Sequence, residues 1–137
     1  NLFLIFILVL TIACSSSDDS AGSTSSSSPY NPPSWIHGTW GLKANGVTLL
    51  NDNPFYTFTS DNVCQLTGVS TLCWKESIAQ SPTILSGNDV STSTTYTANF
   101  IQSRGSVTLT LSFEKVSATK VLWLNTSSGS IQLEKLN

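Results

Sequence analysis

From Trp35 onward, apolar residues recur at every second position over short runs, and turn residues separate those runs every eight to twelve positions. Period-two alternation of this kind marks strands with one face in a core and the other in water. No ten-residue stretch carries the three-and-four spacing of an amphipathic helix, so the pattern predicts an all-β domain without helices. The clearest strand is Val107 to Glu114, where Val107, Leu109, Leu111 and Phe113 face one way and Thr108, Thr110 and Ser112 the other. Tyr96 to Gln102 precedes it. Taking Arg104-Gly105 as the loop sets Phe100 opposite Leu109, Ala98 opposite Leu111 and Tyr96 opposite Phe113, and a one-residue slip would break that shared apolar face. Val121 to Leu124 and Ser130 to Leu136 flank Asn125 to Gly129, which places Trp123 opposite Ile131 and Val121 opposite Leu133.

Five earlier strands are expected at Ile36 to Lys43, Val47 to Leu50, Phe55 to Thr59, Val63 to Leu66 and Thr71 to Glu76. Asn45-Gly46 is a strong hairpin signal, Asn51 to Pro54 reads as a loop, and Ser60-Asp61-Asn62 reads as a tight turn with Asn at positive φ. Residues 77–95, with Pro82 and Ser86-Gly87-Asn88-Asp89, read as a long loop around at most one short strand. An antiparallel meander of about eight strands curls into a closed or nearly closed barrel, with a β-sandwich as the alternative. The expected interior is Trp40, Phe58, Phe100, Leu109, Leu111, Phe113, Trp123 and Leu133.

The beginning of the chain reads differently. Residues Leu2 to Ala13 are almost wholly apolar, but the run is about twelve positions long where a membrane-spanning helix needs roughly twenty. It has the length of a signal-peptide hydrophobic region and ends in small residues before Cys14. The chain holds no Met, and a preceding segment carrying the basic start of that signal is expected. The sequence Leu10-Thr11-Ile12-Ala13-Cys14 resembles the lipobox of bacterial lipoproteins. That resemblance implies cleavage after Ala13, acylation of Cys14 by chains such as palmitate, and a membrane anchored at residue 14. Ser15 to Ser34 are mainly Ser, Pro, Gly, Asp and Asn, too poor in apolar groups to order themselves, and predict a flexible tether over residues 14–34. The Ser run with Asp18 and Asp19 resembles the acidic export signal of Bacteroidota lipoproteins, which implies an outer-membrane protein carried to the cell surface.

Charge excludes further partners. Of 137 residues only 6 are Lys or Arg and 8 Asp or Glu, and the net charge of -2 comes from Asp18 and Asp19. The folded part is therefore formally neutral, with no basic footprint for nucleic acid, and a monomer is expected.

His37-Gly38-Thr39-Trp40 resembles the Gly-x-Trp signature that opens lipocalin and lipocalin-like barrels. The run Val116 to Leu124, with a last strand ending in Glu134-Lys135, is similar to the closing strands of small bacterial lipocalin-like domains. The resemblance implies a lipocalin-like barrel over residues 35–137, with Gly38 and Trp40 as its motif, Trp40 packed across the floor and Lys135 as the basic residue that caps it.

Outside the cytoplasm, Cys64 and Cys73 form a pairable couple. With Gly68-Val69 as a two-residue loop they face each other at a non-hydrogen-bonded pair of a hairpin, close enough for a disulfide. The inventory for catalysis is poor. His37 is the single histidine and has no ligand-spaced Cys or carboxylate beside it, so no metal site is expected. No nucleophile elbow or phosphate loop is present, and Asp52, Asp61 and Asp89 sit in expected turns. No enzyme activity and no cofactor follow. Two readings remain: a barrel that captures a small apolar ligand, with Trp74, Phe100 and Trp123 as candidate lining residues, or a filled barrel acting as a structural or adhesive surface lipoprotein.

Overall fold

The computed structural model describes residues 27–44, 47–48, 55–67, 69–127 and 129–136. Cys14, the Asn45-Gly46 turn and the Asn51 to Pro54 loop lie outside the described residues. The elements are a short 3-10 helix (Ser34–Ile36), β1 (Gly38–Gly41), β2 (Lys43–Ala44), β3 (Val47–Thr48), β4 (Tyr56–Phe58), β5 (Val63–Thr67), β6 (Ser70–Cys73), α1 (Trp74–Gln80), β7 (Leu85–Ser91), β8 (Thr95–Gln102), β9 (Val107–Lys115), β10 (Lys120–Thr126) and β11 (Gly129–Leu136). Nine strands form one antiparallel sheet curled into a half-barrel, in the order β6-β5-β4-β1-β11-β10-β9-β8-β7, and β2 and β3 pair separately. Every pairing is local except one. β1 lies between β4 and β11, with Trp40 opposite Tyr56 on one side and Lys135 on the other, and so joins the first strand to the last.

The late registers match the alternation. Phe100 faces Leu109, Ala98 faces Leu111 and Tyr96 faces Phe113, while Trp123 faces Ile131 and Val121 faces Leu133. Cys64 faces Cys73, and the two form a disulfide with Cα atoms 4.0 Å apart.

Four expectations are corrected. Thr71 to Glu76 is not one strand: the chain leaves β6 at Cys73 and enters α1. Trp74 is buried and Ile78, one helical turn on, packs against the core. Two apolar anchors in seven residues are too short a signal for a helical period to stand out. Asn62 is not a positive-φ turn residue. Its Oδ1 accepts from the Lys75 N–H at 3.0 Å, and its Nδ2 donates to Glu76 at 2.7 Å, tying the start of α1 to the turn before β5. Residues 85–91 form a full edge strand rather than a loop, because cross-strand contacts override weak strand propensity there. Asn99 Nδ2 donates to Asn88 Oδ1 at 2.8 Å, and Asp89 accepts from Tyr96 Oη at 3.0 Å. The last correction concerns the end of the tether. Tyr30 is almost fully buried, so the packed body begins ahead of Trp35.

Tyr30 closes a seam. The two sheet edges, β6 and β7, do not pair with each other, and α1 packs near both. At Gly87 of β7, a Cβ would lie 2.0 Å from the Tyr30 hydroxyl, so only glycine leaves room for this side chain. Tyr30 Oη donates to the Asn99 carbonyl at 2.9 Å, and its ring lies 5.7 Å from that of Trp74. The Asn31 N–H donates to Asp89 at 2.6 Å, and Trp35 Nε1 donates to the Thr92 carbonyl at 3.3 Å. The amino-terminal segment thus covers an edge that would otherwise be open to strand addition.

A hairpin closed by nine residues of sequence separation is restrained by the disulfide mainly through the unfolded chain, by about 2 to 3 kcal/mol. Reduction is expected to lower the melting temperature by on the order of 10 °C without loss of strand content by circular dichroism. A melting curve unchanged by reductant would contradict that role for the bridge.

Candidate functional site

The interior is polarised along its axis. At the end where β1 begins, Ile36, Phe58, Val63, Tyr96, Phe113 and Val121 are all sealed from water. The 3-10 helix caps that end because Trp40 Nε1 donates to the Ile36 carbonyl at 2.6 Å. His37 contributes a further tie, its Nε2 lying 2.8 Å from the Pro32 carbonyl oxygen. At the opposite end, Leu42, Phe55, Trp123 and Ile131 are only partly buried against the core. On the same inward-facing row of β9, Leu109 is 41% exposed and Val107 56% exposed. The alternation placed Leu109 inside. It points the expected way, but β9 runs beyond the packed core, so the apolar row ends in the open.

Gly38 and Trp40 meet at one side chain. Gly38 has φ +118°, and a Cβ there would come 2.7 Å from Lys135 Cε. The absent Cβ lets the Lys135 stem pass over β1, which brings its ammonium 5.6 Å from the centroid of the buried Trp40 ring. A cation over an indole face is favourable by about 0.5–1 kcal/mol at partly exposed sites.

The three candidate lining residues fall into two ring clusters. Trp74 is fully buried and lies 5.3 Å from Phe100. Trp123 lies 5.2 Å from Tyr56 and 6.4 Å from Phe55. Tyr56 continues into the core, 5.2 Å from Phe113 and 6.2 Å from Phe58. Cys64 and Cys73 are tied up in their bridge, on the row that pairs with Thr57 rather than with the core residues of β4.

Among the described residues, three polar atoms inside these clusters have no hydrogen-bond partner: Tyr56 Oη, Trp74 Nε1 and Trp123 Nε1. Each is a buried donor, and leaving such a group unpaired costs about 1–3 kcal/mol. The other two indoles are satisfied, Trp40 by Ile36 and Trp35 by Thr92. The unpaired donors therefore sit at the two tryptophans among the residues read from sequence as lining, Trp74 and Trp123, and at Tyr56, which sequence reasoning passed over. Tyr56 could have been found: it alternates with Phe58, already placed inside. Tyr30, embedded in a Ser- and Pro-rich segment, carried no such signal.

The charged groups lie elsewhere. Lys75 pairs with Asp61, which holds that carboxyl below its ordinary range by hydrogen bonds from Lys75 and Thr59, and Lys120 lies 3.5 Å from Glu134. Asp89, on β7 rather than in a turn, serves Asn31 and Tyr96. Among the described residues no group of three or more His, Cys, Asp or Glu is placed to hold a metal ion, and no helix is long and apolar enough to cross a membrane. No protein-family model matches the chain, and no curated protein or solved structure matches it.

All three tyrosines of the chain, Tyr30, Tyr56 and Tyr96, have their phenols pushed well above the ordinary value by burial. Asp89 adds repulsion of the phenolate at Tyr30 and Tyr96. The fold favours the protonated phenol, so this contribution to stability is intact below about pH 10, where unfolded tyrosine ionises, and is lost as pH rises further. Phenolate absorbance at 295 nm is expected to stay silent through pH 10 and then to appear for all three in one step together with loss of near-ultraviolet circular dichroism. A tyrosine ionising near pH 10 in the intact fold would contradict its placement.

Proposed function

We propose that this chain is a non-catalytic, lipid-anchored envelope lipoprotein whose lipocalin-like half-barrel captures a small apolar ligand at its open end. The supporting observation is the polarity of the interior: sealed at the Ile36 end, it presents Leu42, Phe55, Trp123 and Ile131 half-buried at the other, with Leu109 and Val107 exposed beyond them. Apolar side chains held in this way gain by being covered, at roughly 25 cal/mol per Å² removed from water. Trp123 and Phe100, both partly buried against the core, would cover a ligand from the wall. Trp74, fully buried, supports Phe100 from behind.

Gly38, Trp40 and Lys135 support the lipocalin-like reading through their geometry, since glycine, indole and cation form one packed unit. The sequence signals at Cys14 support a lipid anchor, at the outer membrane and facing outward, and the described segment that follows, from residue 28 on, lies in the seam beside β7. In this arrangement the membrane is the partner of the anchor and the apolar ligand is the partner of the barrel.

A specific observation favours the second reading, a filled barrel with a structural or adhesive role: the central rings of Tyr56, Phe58, Tyr96 and Phe113 touch at 5.1–6.2 Å. Titration of tryptophan fluorescence with 1-aminoanthracene and other neutral apolar probes separates the two. Capture predicts saturable binding in the micromolar range with a raised melting temperature, and Trp123→Ala is expected to weaken it at least tenfold. Absence of both binding and thermal shift would reject capture in favour of the filled barrel.

A further inference from the structure

Two of the unpartnered donors sit on neighbouring rings. Tyr56 Oη and Trp123 Nε1 are both buried without a hydrogen-bond partner, and their rings meet edge to face at 5.2 Å. An indole N–H can only donate, and a phenol has one proton to give, whereas a single carbonyl oxygen has two lone pairs to receive them. The aromatic neighbours, Phe55, Phe58 and Phe113, offer ring carbon alone. The half-buried Phe55, Trp123 and Ile131 connect this spot to the open end.

The charge of the missing acceptor is constrained as well. Lys43 donates to the Lys135 carbonyl, Lys75 pairs with Asp61, Lys120 faces Glu134 and Lys135 lies over Trp40. Arg104 and Lys115 are exposed. Among the described residues no ion pair or cation–ring contact sets a cation against Tyr56 or Trp123, so a carboxylate brought there would be buried beside two neutral donors, at a cost that they do not offset. A neutral oxygen carries no such cost.

We propose that the open end selects a neutral, otherwise apolar ligand bearing a carbonyl-type oxygen, which enters oxygen first and accepts hydrogen bonds from Tyr56 Oη and Trp123 Nε1. This rests on the ligand-capture reading and adds to it the chemical class of the ligand. The unpaired donors then give selectivity rather than stability. An oxygen-free analogue leaves both of them buried and unpaired, as they are without ligand.

The test compares three probes of similar size by calorimetry on the full chain: 2-acetylnaphthalene, 2-ethylnaphthalene and 2-naphthoate. The ketone is expected to bind about tenfold or more tightly than the hydrocarbon, and the anion no more tightly than the hydrocarbon. In Tyr56→Phe the ketone's advantage over the hydrocarbon should shrink to about threefold. The melting temperature of that variant without ligand should be unchanged or higher, because an unpaired buried hydroxyl has been removed. Equal binding of ketone and hydrocarbon would overturn the acceptor assignment and leave apolar capture standing. Tightest binding by naphthoate would overturn the neutrality of the ligand. Binding of none of the three would overturn both this inference and the capture reading.

Discussion

The two-sided pairing of β1 is the constraint on which the rest of the half-barrel depends. A meander laid down in chain order would put its seam between the first strand and the last. Here β1 takes β4 on one side and β11 on the other, so the ends of the folded chain meet and the seam moves to the middle, between β6 and β7. Such a join brings together residues nearly a hundred positions apart, and its closure entropy must be repaid locally. Trp40 does this. Its ring is buried, its indole N–H holds the Ile36 carbonyl, and Lys135 of β11 passes across Gly38 to lie over it.

Once the seam is fixed between β6 and β7, the structure has to manage two free edges. α1 follows β6 directly, and Trp74 at its start is buried against Tyr30 and Phe100. The amino-terminal segment fills what remains, with Tyr30 in the space left by Gly87. The same strap and the 3-10 helix seal the end at which β1 starts. The opposite end has no corresponding cap among the described residues, and it is there that Leu109, Val107 and the half-buried aromatics lie. Closure at one end and apolar exposure at the other are thus two results of one topology.

How much of this was legible in the sequence depended on how local the signal was. Hairpins with full alternation on both strands gave their register residue by residue, because the side-chain period of two admits one pairing that keeps the apolar faces together, and reading Gly68-Val69 as a two-residue loop set Cys64 opposite Cys73. What escaped was held by contacts from outside the segment. Residues 85–91 are composed like a turn and become a strand through Asn99, Tyr96 and Tyr30. Tyr30 itself sits among Ser and Pro and is buried only because Gly87 leaves it room. Trp74 and Trp123 were visible as candidates from residue type, but the fact that their N–H groups are unpaired is a property of three-dimensional surroundings. Tyr56 was within reach of the alternation that had already placed Phe58.

The proposed working surface of the domain is the apolar end bearing Trp123. The four indole N–H resonances of the ¹⁵N-labelled protein report on it directly, since Trp35 and Trp40 are bonded to backbone carbonyls while Trp74 and Trp123 are not. On addition of a neutral apolar probe, the Trp123 resonance is predicted to shift with saturation and the Trp40 resonance to stay in place. Four unmoved indoles, or a shift confined to Trp35 and Trp40, would contradict the account.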